Sequence, residues 1–135
     1  MRFPLSLTMS MAGYMIKQKL TGPKRFPLVL MLEPLHACNL TCTGCGRIRE
    51  YAPTIKEKLT VAECLRAVDE AGSPIVSICG GEPMIYPHIG QLVRKILQRR
   101  RHVILCTNGM FTRKRLHEFR PTPRFCFNRA SPRLR

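Results

Sequence analysis

Short unbroken apolar runs alternate along the chain with longer segments whose apolar residues recur every three or four positions, the pattern of strands interleaved with helices. Met9 to Leu20 mixes Met11, Met15, Ile16 and Leu20 with Lys17 and Lys19, which predicts a short amphipathic helix stopped by Thr21-Gly22-Pro23. Leu28 to Leu32 is continuously apolar, as expected of a parallel strand covered on both faces, and Glu33-Pro34 ends it. A polar loop follows through Pro53. Thr60-Val61-Ala62-Glu63 reads as a capping box, and Val61, Cys64, Leu65 and Val68 carry the helix to its close at Ala71-Gly72 and Pro74.

Ile75 to Cys79 is the second expected strand and Gly80-Gly81 its turn. Pro87 fits a first helical position, and Ile89, Leu92, Val93, Ile96 and Leu97 form the stripe of a helix ending in Arg99-Arg100-Arg101, where cations suit the helix dipole. Val103 to Cys106 is a third strand with Thr107-Asn108-Gly109 as its exit turn. Thr112 is placed to cap a short helix containing Leu116 and Phe119, and Phe125-Cys126-Phe127 is a fourth strand. Strands and helices in strict alternation predict an α/β fold of parallel βα units with right-handed crossovers.

Seven cysteines would suit a disulfide framework, but the count is odd and three fall within eight positions, at Cys38, Cys42 and Cys45. A metal site in a reducing compartment explains that crowding better. Three thiolates can hold three irons of a four-iron cube and leave one open, whereas a structural zinc site normally takes four ligands. Cys64 falls in a helical stripe, and Cys79, Cys106 and Cys126 fall in or at the ends of strands, where small core residues are expected. His36 lies two residues before Cys38, so a three-cysteine zinc site completed by His36 is the main metal alternative; a turn histidine in contact with solvent explains it equally well.

The C-x3-C-x2-C spacing with Asn39-Leu40 after the first cysteine resembles the radical S-adenosylmethionine superfamily, and Gly80-Gly81-Glu82-Pro83 after the next strand is similar to its second motif. The resemblance implies a partial (β/α) barrel, here with about four parallel strands, and a [4Fe–4S] cluster on Cys38, Cys42 and Cys45. The cluster's open iron would chelate the amino and carboxylate groups of S-adenosylmethionine. An electron from a cellular donor would then split the sulfonium into methionine and a 5′-deoxyadenosyl radical. Gly80, Gly81, Glu82 and Pro83 would line the cofactor, with backbone groups and the Glu82 carboxylate satisfying its ammonium. Asn108 would face it from the strand exit; its reading as a turn former is nearly as good. The aromatic residue often found before the third cysteine is here Gly44, a departure on the adenine side of the site.

Leu28 to Leu35, Cys42 to Gly46, Gly80 to Pro83 and Cys106 to Asn108 further resemble the hopanoid-biosynthesis branch of that superfamily. That likeness implies transfer of a 5′-deoxyadenosyl group to a hydrophobic triterpene alkene such as diploptene. The expected layout is a helical extension over residues 1–26, the partial core over 27–128 and a basic tail over 129–135. The tail does not resemble the superfamily's continuation, so a truncated N-terminal portion is expected.

Charge adds rival classes. Lys and Arg outnumber Asp and Glu by 23 to 8, for a formal +15, which attracts an anionic membrane or polyanions; a solvated basic surface explains the same excess. A nucleic-acid partner is disfavoured because no aromatic interleaving or recognition pattern accompanies the charge. The longest apolar run after the N-terminal segment, Pro27 to Leu32, falls far short of the roughly 20 residues that span a bilayer. Ser6, Thr8 and Ser10 interrupt the first fifteen residues, and no convincing cleavage pattern follows. A cytoplasmic protein is expected, with contact to the inner face of the membrane an open addition. Against the enzyme stand a catalytically inactive iron–sulfur or zinc-binding fragment and a basic RNA- or membrane-interaction protein.

Overall fold

Four parallel strands run side by side in the order in which they occur, β1 (Val29–Leu32), β2 (Ile75–Ile78), β3 (His102–Thr107) and β4 (Phe125–Arg129). The structure is a computed structural model that describes residues 5–23, 25–46 and 52–129. The helices are α1 (Leu5–Thr21), α2 (Val61–Ala71), α3 (Ile89–Gln98) and the one-turn α4 (Thr112–Arg115). The result is the expected partial (β/α) barrel of four strands. The basic tail falls outside the described residues apart from Arg129, which ends β4.

Strand alternation sorts the sheet into two unlike faces. Val76, Ile78, Val103 and Leu105 are buried with Leu32 in the core that α2 and α3 cover through Cys64, Val68, Ile89, Leu92, Val93 and Ile96. The alternate positions form a second face on which Met31 is 67% exposed and Cys126 is also exposed. The first strand is therefore not covered on both sides as its apolar run predicts: on that face Val29 is 45% exposed, although Ile75 and His102 beside it on β2 and β3 are buried.

The capping box forms as the sequence predicts. The Glu63 amide donates to Thr60 Oγ1 at 3.2 Å and the Thr60 amide donates to Glu63 Oε2 at 2.7 Å. Gly72, with φ 61°, ends the helix in the left-handed conformation. Thr60→Ala is expected to lower the unfolding free energy by about 1 kcal/mol, read as a lower urea midpoint at unchanged slope, with Thr60→Ser close to the parent. Hydrogen bonds from Thr60 hold the Glu63 carboxyl below its ordinary value. Its contribution is thus present above the unfolded-state pKa and lost as pH falls through the lower folded one.

Three expected boundaries shift. α1 begins at Leu5, four residues before the predicted start, and Tyr14 fastens it by donating to the Pro27 carbonyl at 3.0 Å and meeting Phe26 edge-on. Pro87 precedes the cap of α3 instead of opening the helix, because His88 is the N-cap. Thr112 is the first residue of α4, not its cap; Phe111 holds the cap position without a side-chain hydrogen bond. No described helix is long and apolar enough to cross a membrane.

Candidate functional site

Parallel strands bring their carboxyl ends to one edge, where the exits of β1, β2 and β3 meet. The chain leaving β1 is bonded to the chain leaving β2: the Gly81 amide donates to the Leu35 carbonyl at 3.2 Å and the Glu82 amide to the Ala37 carbonyl at 2.9 Å. This contact needs glycine. A Cβ on Gly81 would sit 1.9 Å from the Ala37 carbonyl oxygen, and Gly80 holds φ at 112°. The two motifs in the sequence are thus two sides of one backbone contact, with Cys38 following it directly.

Glu82 extends the contact to β3. It is 1% exposed. Its Oε1 accepts from the Met84 amide at 2.9 Å and from Thr107 Oγ1 at 2.7 Å, and its Oε2 accepts from the Asn108 amide at 2.7 Å. Glu82 therefore caps the 3-10 turn Pro83–Ile85 and ties the exits of β2 and β3 together. Replacing Glu82 by glutamine puts an amide donor against backbone or hydroxyl donors, so a loss of about 2 kcal/mol is expected, measured by chemical denaturation.

Arg115, which carries no sequence signal among 23 cations, fixes the far end of that turn. Its guanidinium donates to the carbonyls of Met84, Tyr86 and Pro87 at 2.7, 2.8 and 3.0 Å. It also pairs with Glu118, holding that carboxyl below its usual range. Tyr86, whose hydroxyl donates to the Leu59 carbonyl at 2.8 Å, is likewise a structural member that motif reasoning did not single out, and Thr107, expected only as part of an exit turn and motif segment, is the hydroxyl that bonds Glu82.

A cavity of about 560 Å³ opens above this edge, lined by Cys38, Cys42 and Cys45 from the β1 exit, Gly80, Gly81 and Glu82 from the β2 exit, and Thr107 and Asn108 from the β3 exit. Pro83 lies behind the wall, buried as the first residue of its 3-10 turn. Cys38 is exposed, Cys42 and Cys45 are half-buried, and all three are free thiols. Gly44, at φ 80°, shapes the tight turn in which the Cys45 amide donates to the Cys42 carbonyl at 3.1 Å. The departure from an aromatic residue at that position thus coincides with a left-handed backbone that disfavours side chains.

Among the described residues no set of three or more His, Cys, Asp or Glu side chains is close enough to hold one metal ion. His36 lines the cavity, but its Nδ1 lies 2.9 Å from Thr54 Oγ1 and 3.2 Å from the Thr54 carbonyl, and it does not complete a zinc-sized group with the thiols. In donor chemistry the wall suits an iron–sulfur cluster: free thiols from one loop share a cavity with side-chain-free backbone.

The remaining cysteines divide. Cys64 is fully buried, and burial pushes its thiol up to about 11, as a core residue's should be. Cys79 and Cys106 are half-buried on the cavity wall and Cys126 is exposed, so none of these three is a core residue. Cys106 and Cys126 lie in β3 and β4 on the face turned away from the α2–α3 core, and Cys79 directly follows β2; a short apolar run does not distinguish that face from the core one.

Residues 32–131 match the sequence profile of the Radical SAM superfamily. Over 85 residues the chain is 36% identical to the GTP 3′,8-cyclase of Chlorobaculum tepidum, covering 59% of this chain and 25% of that protein. It is 32% identical over 87 residues to the AdoMet-dependent heme synthase of Methanosarcina barkeri, covering 62% and 24%. In fold it is similar to Streptococcus suis SuiB bound to S-adenosylmethionine, with a TM-score of 0.59 at 22% identity over 86% of this chain and 26% of that one. The chain spans about a quarter of the length of the curated relatives it matches. With the profile covering most of its length, the chain belongs to the Radical SAM superfamily.

Proposed function

We propose that this chain is the cluster-bearing portion of a radical enzyme, in which Cys38, Cys42 and Cys45 hold a [4Fe–4S] cluster and S-adenosylmethionine occupies the adjoining cavity. The observation that carries this reading is the convergence of the three thiols and the Gly80–Glu82 segment on one cavity at the carboxyl edge of a parallel sheet, in a chain of this superfamily. When bound, such a cluster supplies the electron that divides S-adenosylmethionine into methionine and a 5′-deoxyadenosyl group.

The protein's own part is to bind and orient. Gly80 and Gly81 offer backbone unobstructed by side chains to the amino-acid end of the cofactor, and the Glu82 carboxylate, tied to Met84, Thr107 and Asn108, holds that segment in place and lends the cavity wall its negative charge. Anaerobic reconstitution with iron and sulfide tests this reading: about four irons and four sulfides per chain support it, while stoichiometric zinc without an iron–sulfur signal overturns it in favour of a metal-binding fragment.

For the substrate we propose a hopanoid alkene, adenosylated by carbon–carbon bond formation. The support is the likeness of the Leu28–Leu35, Cys42–Gly46, Gly80–Pro83 and Cys106–Asn108 segments to that branch. The relatives named above are a GTP cyclase and a heme synthase, and a third, 31% identical over 87 residues, is the PqqA peptide cyclase of Granulibacter bethesdensis. These keep a nucleotide, a tetrapyrrole or a peptide as the competing substrate classes. A reduced electron donor is required in each case, and a lipid substrate would bring a chain of formal charge +15 to an anionic bilayer surface. Incubation with reductant, S-adenosylmethionine and diploptene tests it: adenosylhopane by mass spectrometry supports the hopanoid reading, 5′-deoxyadenosine without adduct shows cleavage without control of that substrate, and an adduct on a nucleotide, tetrapyrrole or peptide in its place contradicts it.

A further inference from the structure

We propose that Asn108 is a positioning residue that clasps the cysteine loop through Asn39, and is not a direct ligand of the cofactor. The proposal rests on the cluster reading above but is visible in the protein without it. Asn108 Nδ2 donates to Asn39 Oδ1 at 2.9 Å, across 69 residues of sequence. Asn39 immediately follows Cys38.

Both ends of the Asn108 side-chain amide already make a hydrogen bond within the protein. Its Oδ1 accepts from the Met110 amide at 3.0 Å, which fixes which end of the side chain is oxygen and turns Nδ2 toward Asn39. Its backbone amide donates to Glu82 Oε2 at 2.7 Å, so the clasp is anchored to a buried carboxylate. Asn39 Nδ2 in turn faces Met110 Sδ at 3.4 Å.

Cys38 is thereby bracketed. The Ala37 carbonyl before it accepts from the Glu82 amide of the β2 exit, and the Asn39 side chain after it is bonded to the β3 exit. Cys38 is exposed and lies outside any strand, so packing alone does little to hold its thiol. Ligands for a cluster must be held to within about half an ångström. Two hydrogen bonds, one on each neighbour and each to a different strand exit, provide that restraint.

The test uses the full chain and needs no S-adenosylmethionine, which a direct cofactor ligand would require before its loss could be felt. In the metal-free protein, Asn108→Ala is expected to lower the backbone amide order parameters of Asn39 and Leu40 from roughly 0.85 toward 0.6. Asn39→Ala should do the same at Leu40, the double variant should go no further, and Asn39→Asp, which keeps the acceptor, should remain like the parent. In the iron-loaded protein, chelator-driven iron release should accelerate about fivefold in either alanine variant and no more in the double one. Unchanged order parameters, or losses that add in the double variant, would overturn the clasp. Should no cluster load into the parent, the cluster reading falls while the metal-free relaxation data still decide the clasp.

Discussion

Single replacement of Cys38, Cys42 or Cys45 by alanine is expected to reduce reconstituted iron from about four per chain to well below one. The effect is all-or-none because a cube left with two protein thiolates has two irons open to water and dissociates on handling. Cys126→Ala should load like the parent, since that thiol is exposed on β4 and is not among the cavity-lining residues. Cys79→Ala and Cys106→Ala are the sharper controls, because both thiols share the cavity wall. Cys106 Sγ lies 3.6 Å from Ser77 Oγ, and Cys79 Sγ lies 3.8 Å from the Ser77 carbonyl. Held against the sheet, they lack the loop's freedom to wrap a cluster. Retention of iron in these two variants, with loss in the loop variants, assigns the ligands by position and not merely by residue type.

Gly81→Ala should both destabilise the fold and abolish iron loading. The added Cβ would fall 1.9 Å from the Ala37 oxygen and 2.4 Å from the Ala37 carbon and the His36 oxygen, all backbone atoms that cannot rotate away. Relief requires the β1 exit to move off the β2 exit, breaking the Gly81 to Leu35 and Glu82 to Ala37 hydrogen bonds and displacing Cys38 with them. Overpacking together with lost hydrogen bonds should cost about 2–4 kcal/mol, measured by urea denaturation. Gly13→Ala makes the contrast: that glycine lies inside α1 with nothing within 4 Å of the added methyl, so a gain of about 0.5–1 kcal/mol is expected.

What the sequence revealed, and what it concealed, follows from how local each determinant is. The capping box of α2, the Gly72 stop, all four strands and the stripe of α3 were legible because each is set by residues within a few positions. The cysteine spacing and Gly80-Gly81 were legible for the same reason. The covered and uncovered faces of the sheet were not, because Ile78 and Cys79 read alike in a continuous apolar run although one is fully buried and the other lines the cavity. Nor was the use of Glu82 as a tie between strand exits, since Thr107 and Asn108 lie 25 and 26 residues away. Arg115 and the Asn39–Asn108 bond are likewise contacts that exist only once the sheet has formed. Asn108, expected to face the cofactor from the strand exit, does line the cavity, but the bond of its side chain to the cysteine loop and of its backbone to Glu82 has no local signal.

Mössbauer spectroscopy of protein reconstituted with isotopically labelled iron, recorded before and after addition of S-adenosylmethionine, tests the central claim most directly. Three thiolate ligands leave one iron of the cube without a protein donor. The account predicts a four-iron signal in which about one iron in four changes its parameters when S-adenosylmethionine is added, and the other three do not. A signal in which all irons are equivalent and unmoved by S-adenosylmethionine, or stoichiometric zinc with no cluster at all, would contradict it.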